Sequence, residues 1–226
     1  MFKNAYKLIY GELFQLKKPN LPLLEKEDRS NIKSINNTLD EEKDHDYSIK
    51  VYNNFSDWDS LVKVINSCNL CELSQNRKKQ FIEFGNKNAT WFFIGDNLSR
   101  ETYDLFIRMI ENFQLNSKKD IYYTNATKCP EFINQRASIK QLNLCKNYLF
   151  NQIDLVKPKV IIIMGYHILP IFFDQNLEIN KSEVTMSYYN KTPVLITFDL
   201  DFLIRNKEER KRTWDTLIYA KKQISV

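Results

Sequence analysis

Continuous apolar runs alternate with helix-like patterns through residues 51–226 of the chain. The apolar runs cover residues 90–95, 121–125, 160–165 and 193–198. Each is short and ends at Gly or another turn-forming or polar residue, and apolar residues do not alternate with polar ones within it. Such runs are typical of strands that are buried on both faces of a parallel sheet.

Helical spacing of apolar residues predicts helices between these strands, at 56–65, 101–114, 139–156 and 207–222, with a short one ending near 173. Ser56 is the predicted N-cap of the first helix. Alternation of strands and helices predicts an α/β fold, a three-layer α/β/α domain with a central four-stranded parallel sheet. Ligands of such sheets bind where the strands end, which draws attention to residues 96–99, 125–130, 166–167 and 199–201.

Three regions differ in composition. Residues 1–24 are rich in aromatic and aliphatic side chains, with Tyr6, Ile9, Tyr10 and Leu13 at helical spacing. A segment this short cannot bury its own apolar face, so we expect it to dock either on its own domain or on a partner. Residues 25–50 are polar and carry both charges, which is typical of a flexible linker. Residues 51–226 form the predicted globular domain.

Charge and composition exclude some classes of function. The 226 residues contain no apolar run long enough for a membrane span and no export signal at the start, which predicts a cytoplasmic protein. With only four glycines there is no glycine-rich phosphate loop. Residues 1–50 hold equal numbers of acidic and basic residues, so the net charge of +5 comes from residues 51–226. That excess is compatible with nucleic acid as a partner.

Four cysteines are the candidate metal ligands: Cys68, Cys71, Cys129 and Cys145. A close Cys-x-x-Cys pair with two distant single cysteines is a spacing that surrounds a metal centre with thiolates. The spacing by itself leaves three interpretations open, namely unrelated reduced thiols, a zinc site and an iron–sulfur cluster. Disulfides are disfavoured because no export signal is present. His45, in the polar linker, is expected to be solvated.

The motifs around these cysteines resemble the family 4 uracil-DNA glycosylases, the iron–sulfur branch of that superfamily. Residues 68–73 resemble the family's opening Cys-x-x-Cys-x-Leu, and residues 121–130 its strand that ends in Thr-Asn and leads to Lys-Cys. Residues 145–165 resemble its helix–strand unit, and Trp214 its closing tryptophan. The resemblance implies a [4Fe-4S] cluster bound by the four cysteines, with zinc as the alternative.

The same resemblance implies a site in which a flipped uracil is held by an amide, a histidine donates to the uracil oxygen, and an acidic group positions water. Asn125 stands at the amide position, although it is also suited to bracing a strand end. Asp96 is a shorter acid at the acidic position, and Asp199 replaces the histidine. A carboxylate there would repel the developing uracil anion, so we predict a non-catalytic relative with degenerate positions Asp96 and Asp199. His167 is expected to be structural.

The N-terminal segment resembles the start of the psi subunit of the bacterial DNA polymerase III clamp loader, in Phe14-Gln15-Leu16-Lys17-Lys18-Pro19 preceded by Gly11. This resemblance implies docking on clamp-loader subunits, and a link through the chi subunit to single-stranded-DNA-binding protein. The expected contacts are Tyr10, Phe14, Leu16, Lys17, Lys18 and Pro19. The prediction is a psi-like, nucleoid-associated replisome subunit without a membrane partner. The alternatives are a DNA-binding relative and an active glycosylase with a rearranged site in base-excision repair.

Overall fold

A computed structural model of the chain describes residues 55–76, 83–130, 136–173 and 186–224. The docking peptide predicted at 1–24 and the linker predicted at 25–50, with His45, lie outside these ranges. The start of the predicted globular domain at residue 51 lies outside them as well. These boundaries therefore stay predictions.

One sheet of six strands organises the described part of the chain. The strands are β1 (Glu83–Gly85), β2 (Trp91–Gly95), β3 (Ile121–Asn125), β4 (Val160–Met164), β5 (Met186–Tyr189) and β6 (Thr192–Thr197). Their spatial order is β1-β3-β2-β4-β6-β5. The four central strands are parallel, as their continuous apolar runs predicted, with Trp91 of β2 level with Ile121 of β3 and Val160 of β4.

The prediction of a four-stranded sheet was wrong at both edges. β1 pairs antiparallel with β3, and β5 pairs antiparallel with β6 through a tight turn at Asn190 and Lys191. β1 has three residues, and β5 is only half-buried and contains a serine. Neither edge strand therefore has the continuous apolar run by which the central strands were recognised.

The helices are α1 (Trp58–Ser67), α2 (Arg100–Asn112), α3 (Ile139–Val156), α4 (Leu200–Arg205) and α5 (Arg210–Ile224), with short 3-10 turns at Glu72–Asn76, Tyr166–Ile171 and Lys207–Glu209. None of these helices is both long and apolar enough to cross a bilayer. The predicted bounds of α3 are confirmed. Its first turn is fixed by a capping box, in which Ser138 Oγ accepts from the Gln141 amide and Gln141 Oε1 accepts from the Ser138 amide.

The N-cap of α1 and the presence of α4 differ from the predictions. The N-cap of α1 is Asp57 rather than Ser56, because the Asp57 carboxylate accepts from the Ser60 amide at 2.8 Å. An aspartate and a serine are both good caps, so the sequence did not distinguish the two neighbours. α4 was not predicted, and it begins after Asp199, whose carboxylate accepts from the Phe202 amide at 2.7 Å.

Successive strand residues face opposite layers, which explains why the runs are continuously apolar. On one face, Phe92 and Ile94 pack in a core with Leu149 and Ile153 of α3. On the other face, Phe93 packs edge-on against Phe106 of α2. The predicted three-layer α/β/α arrangement is thereby confirmed.

The chain order creates a crevice at one edge of the sheet. From β2 the chain crosses to β3 on one side, and then returns past β2 to β4 and β6 on the other. The connections therefore diverge between β2 and β4. In open α/β sheets, ligands characteristically bind at such a point, beside the carboxyl ends of the strands. The residues that follow β2 and β4 are Asp96 and the segment around His167, and they are the first place to look for a site.

Phe106 is the anchor of α2, and its removal gives a test of the packing. Its ring centroid lies 5.0 Å from that of Tyr123, 5.2 Å from Phe93 and 5.9 Å from Phe84, and the side chain is fully buried. We expect Phe106→Ala to lower the free energy of unfolding by about 3–5 kcal/mol, through the lost burial and the cavity it leaves. Urea unfolding followed by circular dichroism measures this. The exposed neighbour Arg108→Ala should change it by less than about 0.5 kcal/mol.

Candidate functional site

A small cleft opens at the carboxyl ends of the central strands. It is lined by residues that follow β2 and β6 together with side chains of β3, β4 and α2: Gly95, Asp96, Asn97, Leu98, Thr102, Tyr123, Met164, Asp199, Leu200 and Asp201. The Tyr123 hydroxyl donates to the Asp96 carbonyl at 2.8 Å and lies so close to Gly95 that a Cβ there would collide with it. The predicted positions Asp96 and Asp199 thus line the same cleft.

Asp96 is paired with His167 across the point where the connections diverge. Asp96 Oδ1 lies 2.8 Å from His167 Nε2, and both side chains are mostly buried. On the other side of the ring, Nδ1 lies 3.3 Å from Nη1 of Arg136. A guanidinium only donates, so Nδ1 accepts and the ring proton lies on Nε2, which donates to Asp96. Gly165 permits this placement, because it has φ +130° and a Cβ there would lie 2.7 Å from the ring.

Asp199 has both carboxylate oxygens engaged. Oδ1 accepts from the Phe202 amide as the N-cap of α4, and Oδ2 accepts from Arg136 Nη2 at 2.8 Å. Arg136 therefore joins two carboxylates of the cleft, Asp199 directly and Asp96 through His167. The third carboxylate, Asp201, has its pKa raised by burial and then by repulsion from Asp199. The cleft is an acidic site whose two innermost carboxylates are already bonded within the protein.

Asn125 lies at the end of β3 and is 2 % exposed. Its amide nitrogen donates to Asn97 Oδ1 at 2.5 Å, which connects it to the cleft wall. Its Oδ1 is the only buried side-chain oxygen or nitrogen in the described ranges that has no hydrogen-bond partner. A buried acceptor without a donor carries a free-energy cost unless a ligand or water supplies that donor. An N–H of a bound base is one donor that would satisfy it.

The four cysteines come from four separate positions of the fold. Cys68 is the C-cap residue of α1, Cys71 precedes the Glu72–Asn76 turn, Cys129 follows β3, and Cys145 lies in α3. All four are free thiols, with Cys129 and Cys145 buried and the other two half-buried. Gln141 of α3 donates to Glu72 Oε1 at 2.9 Å, which fastens the Cys-x-x-Cys turn to the helix that holds Cys145.

The thiols are close enough to affect each other's ionisation. Burial raises the pKa of Cys145 to about 12, and the charges of Cys71 and Cys129 add to that rise. Burial also raises the pKa of Cys71, to which Cys129 and Cys68 contribute. Backbone amides oppose these shifts, from Leu73 and Ser74 at Cys71 and from Lys128 at Cys145. Amides directed at sulfur are suited to thiolates bound to a metal centre.

Within the described ranges, no group of three or more Cys, His, Asp or Glu side chains is arranged to hold a single metal ion. A tetrahedral zinc site needs its sulfurs within about 4 Å of one another, given Zn–S bonds of about 2.3 Å. In a four-iron cluster each thiolate binds a different iron, so the sulfurs stand further apart. Cys71 lies within electrostatic reach of the other three free thiols, so the four cysteines are candidate ligands of one shared metal centre.

Comparison with known proteins identifies the family. A family model described as the uracil DNA glycosylase superfamily matches residues 82–221, more than half of the chain. The chain belongs to this superfamily.

Several curated members are similar to the chain at low identity. It is 27 % identical over 118 residues to a type-4 uracil-DNA glycosylase of Archaeoglobus fulgidus, which covers 47 % of this chain and 59 % of that protein. A protein of the same name from Thermotoga maritima is 23 % identical over 161 residues, covering 66 % of this chain and 83 % of the relative. The one from Saccharolobus solfataricus is 28 % identical over 121 residues, covering 48 % and 56 %. The chain thus spans less than two thirds of two of these three relatives.

Within the superfamily domain, the structure brings together most of the residues that the sequence singled out. Asp96, Asp199 and Asp201 line one cleft, and Asn125 is bonded to its wall. The matched range includes Cys129 and Cys145 but begins after the Cys-x-x-Cys pair. The six predicted partner-binding residues, Tyr10, Phe14, Leu16, Lys17, Lys18 and Pro19, lie outside the described residues, and their role stays a prediction.

Sequence reasoning missed two members of the site. His167 was expected to be structural because it follows the third predicted strand instead of the fourth, and its bond to the cleft residue Asp96 was not predicted. Arg136 lies between β3 and α3 and belongs to no motif, so only the fold places it 2.8 Å from Asp199, 63 residues away. Two aspartates that follow parallel strands of one sheet were the available signal, since carboxylates gathered at one edge favour a nearby cation.

Removal of a single thiol tests the cysteine site. We expect anaerobically purified protein to contain about four irons per chain and to be brown. Cys129→Ala should lose most of the iron and of the absorption near 400 nm, since three thiolates hold a cluster less well than four. Ser67→Ala is the matched control, because Ser67 bonds only within α1 and adjoins Cys68. Equal iron in Cys129→Ala and the wild type would contradict the assignment.

Proposed function

We propose that this protein is a [4Fe-4S]-binding member of the uracil-DNA glycosylase superfamily that does not excise uracil and serves as an accessory subunit of the replication machinery. The proposal has two parts, which stand on different residues. The loss of excision rests on the cleft, and the accessory role rests on the N-terminal segment.

The state of Asp199 carries the first part. The resemblance to family 4 puts a histidine at this position, where it donates to the uracil oxygen as charge develops on the departing ring. Here the position holds a carboxylate that has no proton to donate, and both of its oxygens already accept hydrogen bonds, from Arg136 and from the Phe202 amide. Removal of a single donor from such a site typically costs a factor of about 10²–10³ in rate.

The acidic position supports the same conclusion. Asp96 Oδ1 is bonded to His167, which is in turn adjacent to Arg136. An acid that positions water needs an oxygen directed at that water, and one oxygen of Asp96 is directed at His167 instead. His167 donates through Nε2 to Asp96, so this proton is not directed at a base. Asn125 retains a buried acceptor, which supports recognition of a base edge without cleavage.

The cofactor is part of the proposal. Cys68, Cys71, Cys129 and Cys145 would hold the cluster, with backbone amides near Cys71 and Cys145 directed at their sulfurs. When bound, a cluster with four thiolate ligands has no open iron site, so its default contribution is to brace the segments that hold its ligands. The similarity to type-4 uracil-DNA glycosylases agrees with the family resemblance from which the cluster is inferred.

The accessory role is supported by the sequence of the first 24 residues. Phe14, Leu16 and the lysines that follow resemble the docking peptide of the psi subunit, and the predicted linker of about 25 residues would span roughly 25–30 Å as a coil. The proposed partners are clamp-loader subunits, and through them single-stranded-DNA-binding protein, in the cytoplasm at the nucleoid. DNA is a further partner compatible with the positive net charge.

Base release tests the first part. We expect the purified holoprotein to release no measurable uracil from single-stranded DNA, under conditions in which the Thermotoga maritima relative turns over. The Asn125→Ala variant should be equally inactive. Turnover comparable to that relative, abolished by Asn125→Ala, would instead favour the alternative, an active glycosylase of base-excision repair.

Co-purification tests the second part. We expect the full chain to retain clamp-loader subunits, and Phe14→Ala combined with Leu16→Ala to weaken that binding by at least tenfold, because anchor residues carry most of an interface's free energy. Asn37→Ala in the predicted linker is the control and should bind like the wild type. Equal recovery with and without residues 1–24 would refute the tether, whatever the outcome of the uracil assay.

A further inference from the structure

A chain of buried polar groups connects the far edge of the sheet to the loop after β3. It begins at Glu83 of β1, whose Oε2 accepts from the Tyr122 hydroxyl and, at 3.1 Å, from Gln152 Nε2. Gln152 Oε1 accepts from the Thr124 hydroxyl at 3.1 Å. The same hydroxyl oxygen accepts from Lys128 Nζ at 2.9 Å. Each member of this chain is bonded to the next through groups that are largely shielded from water.

Lys128 is the end of this chain and is itself 2 % exposed. Its ammonium donates a second hydrogen bond, at 2.5 Å, to the backbone carbonyl of Asn125. Lysine is almost never fully buried in proteins unless its charge is compensated. Lys128 therefore needs negative charge nearby to remain a buried ammonium at the Asn125 backbone.

The other side of Lys128 faces the cysteines. Its own backbone amide is directed at the sulfur of Cys145, and the next residue in the chain is Cys129. Burial lowers the pKa of the Lys128 ammonium to about 7, and the negative charges of Cys145 and Glu83 oppose that shift. Lys128 thus contacts the Asn125 backbone with its side chain and a candidate ligand with its main chain.

We propose that Lys128 is a positioning residue that couples the cysteine centre to Asn125, because its main chain contacts Cys145 while its buried side chain holds the Asn125 carbonyl in place. The proposal rests on the cysteine site of the proposed function, but not on the absence of excision.

Both the charge of Lys128 and its contacts support this role. Four thiolates around an iron–sulfur core leave the centre with net negative charge, which favours a fixed cation nearby. An ammonium in that place in turn has donors for Thr124 and for the Asn125 carbonyl. Loss of the ammonium should therefore have two effects. The metal centre should be retained less well, and the Asn125 backbone should become less ordered.

The experiment compares the full-length holoprotein with Lys128→Met, which keeps the length of the side chain and removes its charge and donors. The first measurement is the rate at which absorption near 400 nm is lost in the presence of a chelator, and we expect it to rise several-fold. The second is amide hydrogen exchange of the peptide covering residues 121–128 in the holoprotein. We expect exchange of the Ala126 amide, which donates to Gly95 O at 2.8 Å, to become several-fold faster.

Lys119→Met is the control, because Lys119 is exposed and lies before β3; it should leave both measurements unchanged. Thr124→Val removes one acceptor of the ammonium and preserves the lysine. It should raise both the rate of absorption loss and the rate of amide exchange, but by less than Lys128→Met does. It provides the test if Lys128→Met does not fold.

Unchanged chelator sensitivity in Lys128→Met would overturn the proposal, and so would unchanged exchange, because either result leaves only one end of the link. Colourless wild-type protein would remove the cysteine centre and this coupling together. Detection of uracil release would contradict the proposed function and leave the coupling standing.

Discussion

Burial of the four parallel strands on both faces is the constraint on which the rest of this structure depends. Because Phe92 and Ile94 face α3 while Phe93 faces α2, both faces of the central strands are covered mainly by apolar side chains. Polar and charged groups are therefore concentrated where strands end, and parallel strands end at the same edge. The cleft, the Asp96–His167 pair and Asn125 all lie at that edge for this reason.

Asp199 makes contacts that extend beyond the cleft it lines. A carboxylate next to two other aspartates of the same cleft needs compensation, and Arg136 supplies it while also contacting His167. Asp199 simultaneously begins α4 as its N-cap. Asp199 thus fastens the segment after β6, the start of α4 and the segment of Arg136 together, and this bracing supports the proposal that the cleft does not excise uracil.

The cysteines and the buried polar chain make the loop after β3 an unusual part of the fold. It places Cys129 next to Lys128, and Lys128 against the Asn125 backbone. A loop with so few apolar contacts of its own is generally among the less stable parts of a domain. Here the Lys128 ammonium donates to the Thr124 hydroxyl and to the Asn125 carbonyl. These hydrogen bonds explain why Lys128 is buried in spite of its polarity.

The sequence by itself determined the central strands, the layer order and the bounds of α3, because burial on both faces leaves a continuous apolar run and a capping box leaves Ser138 and Gln141 at fixed spacing. It also identified Asp96, Asn125, Asp199 and the four cysteines, through local motifs. Only the tertiary structure decided the edge strands β1 and β5, the contacts of Arg136 and His167, and the bonds of Lys128. β1 pairs with β3, Arg136 with Asp199 and His167 with Asp96 across long stretches of the chain, and pairing of that kind leaves no periodic pattern in the sequence. The β5–β6 turn and the bonds of Lys128 are local, but no run or period of apolar residues marks them.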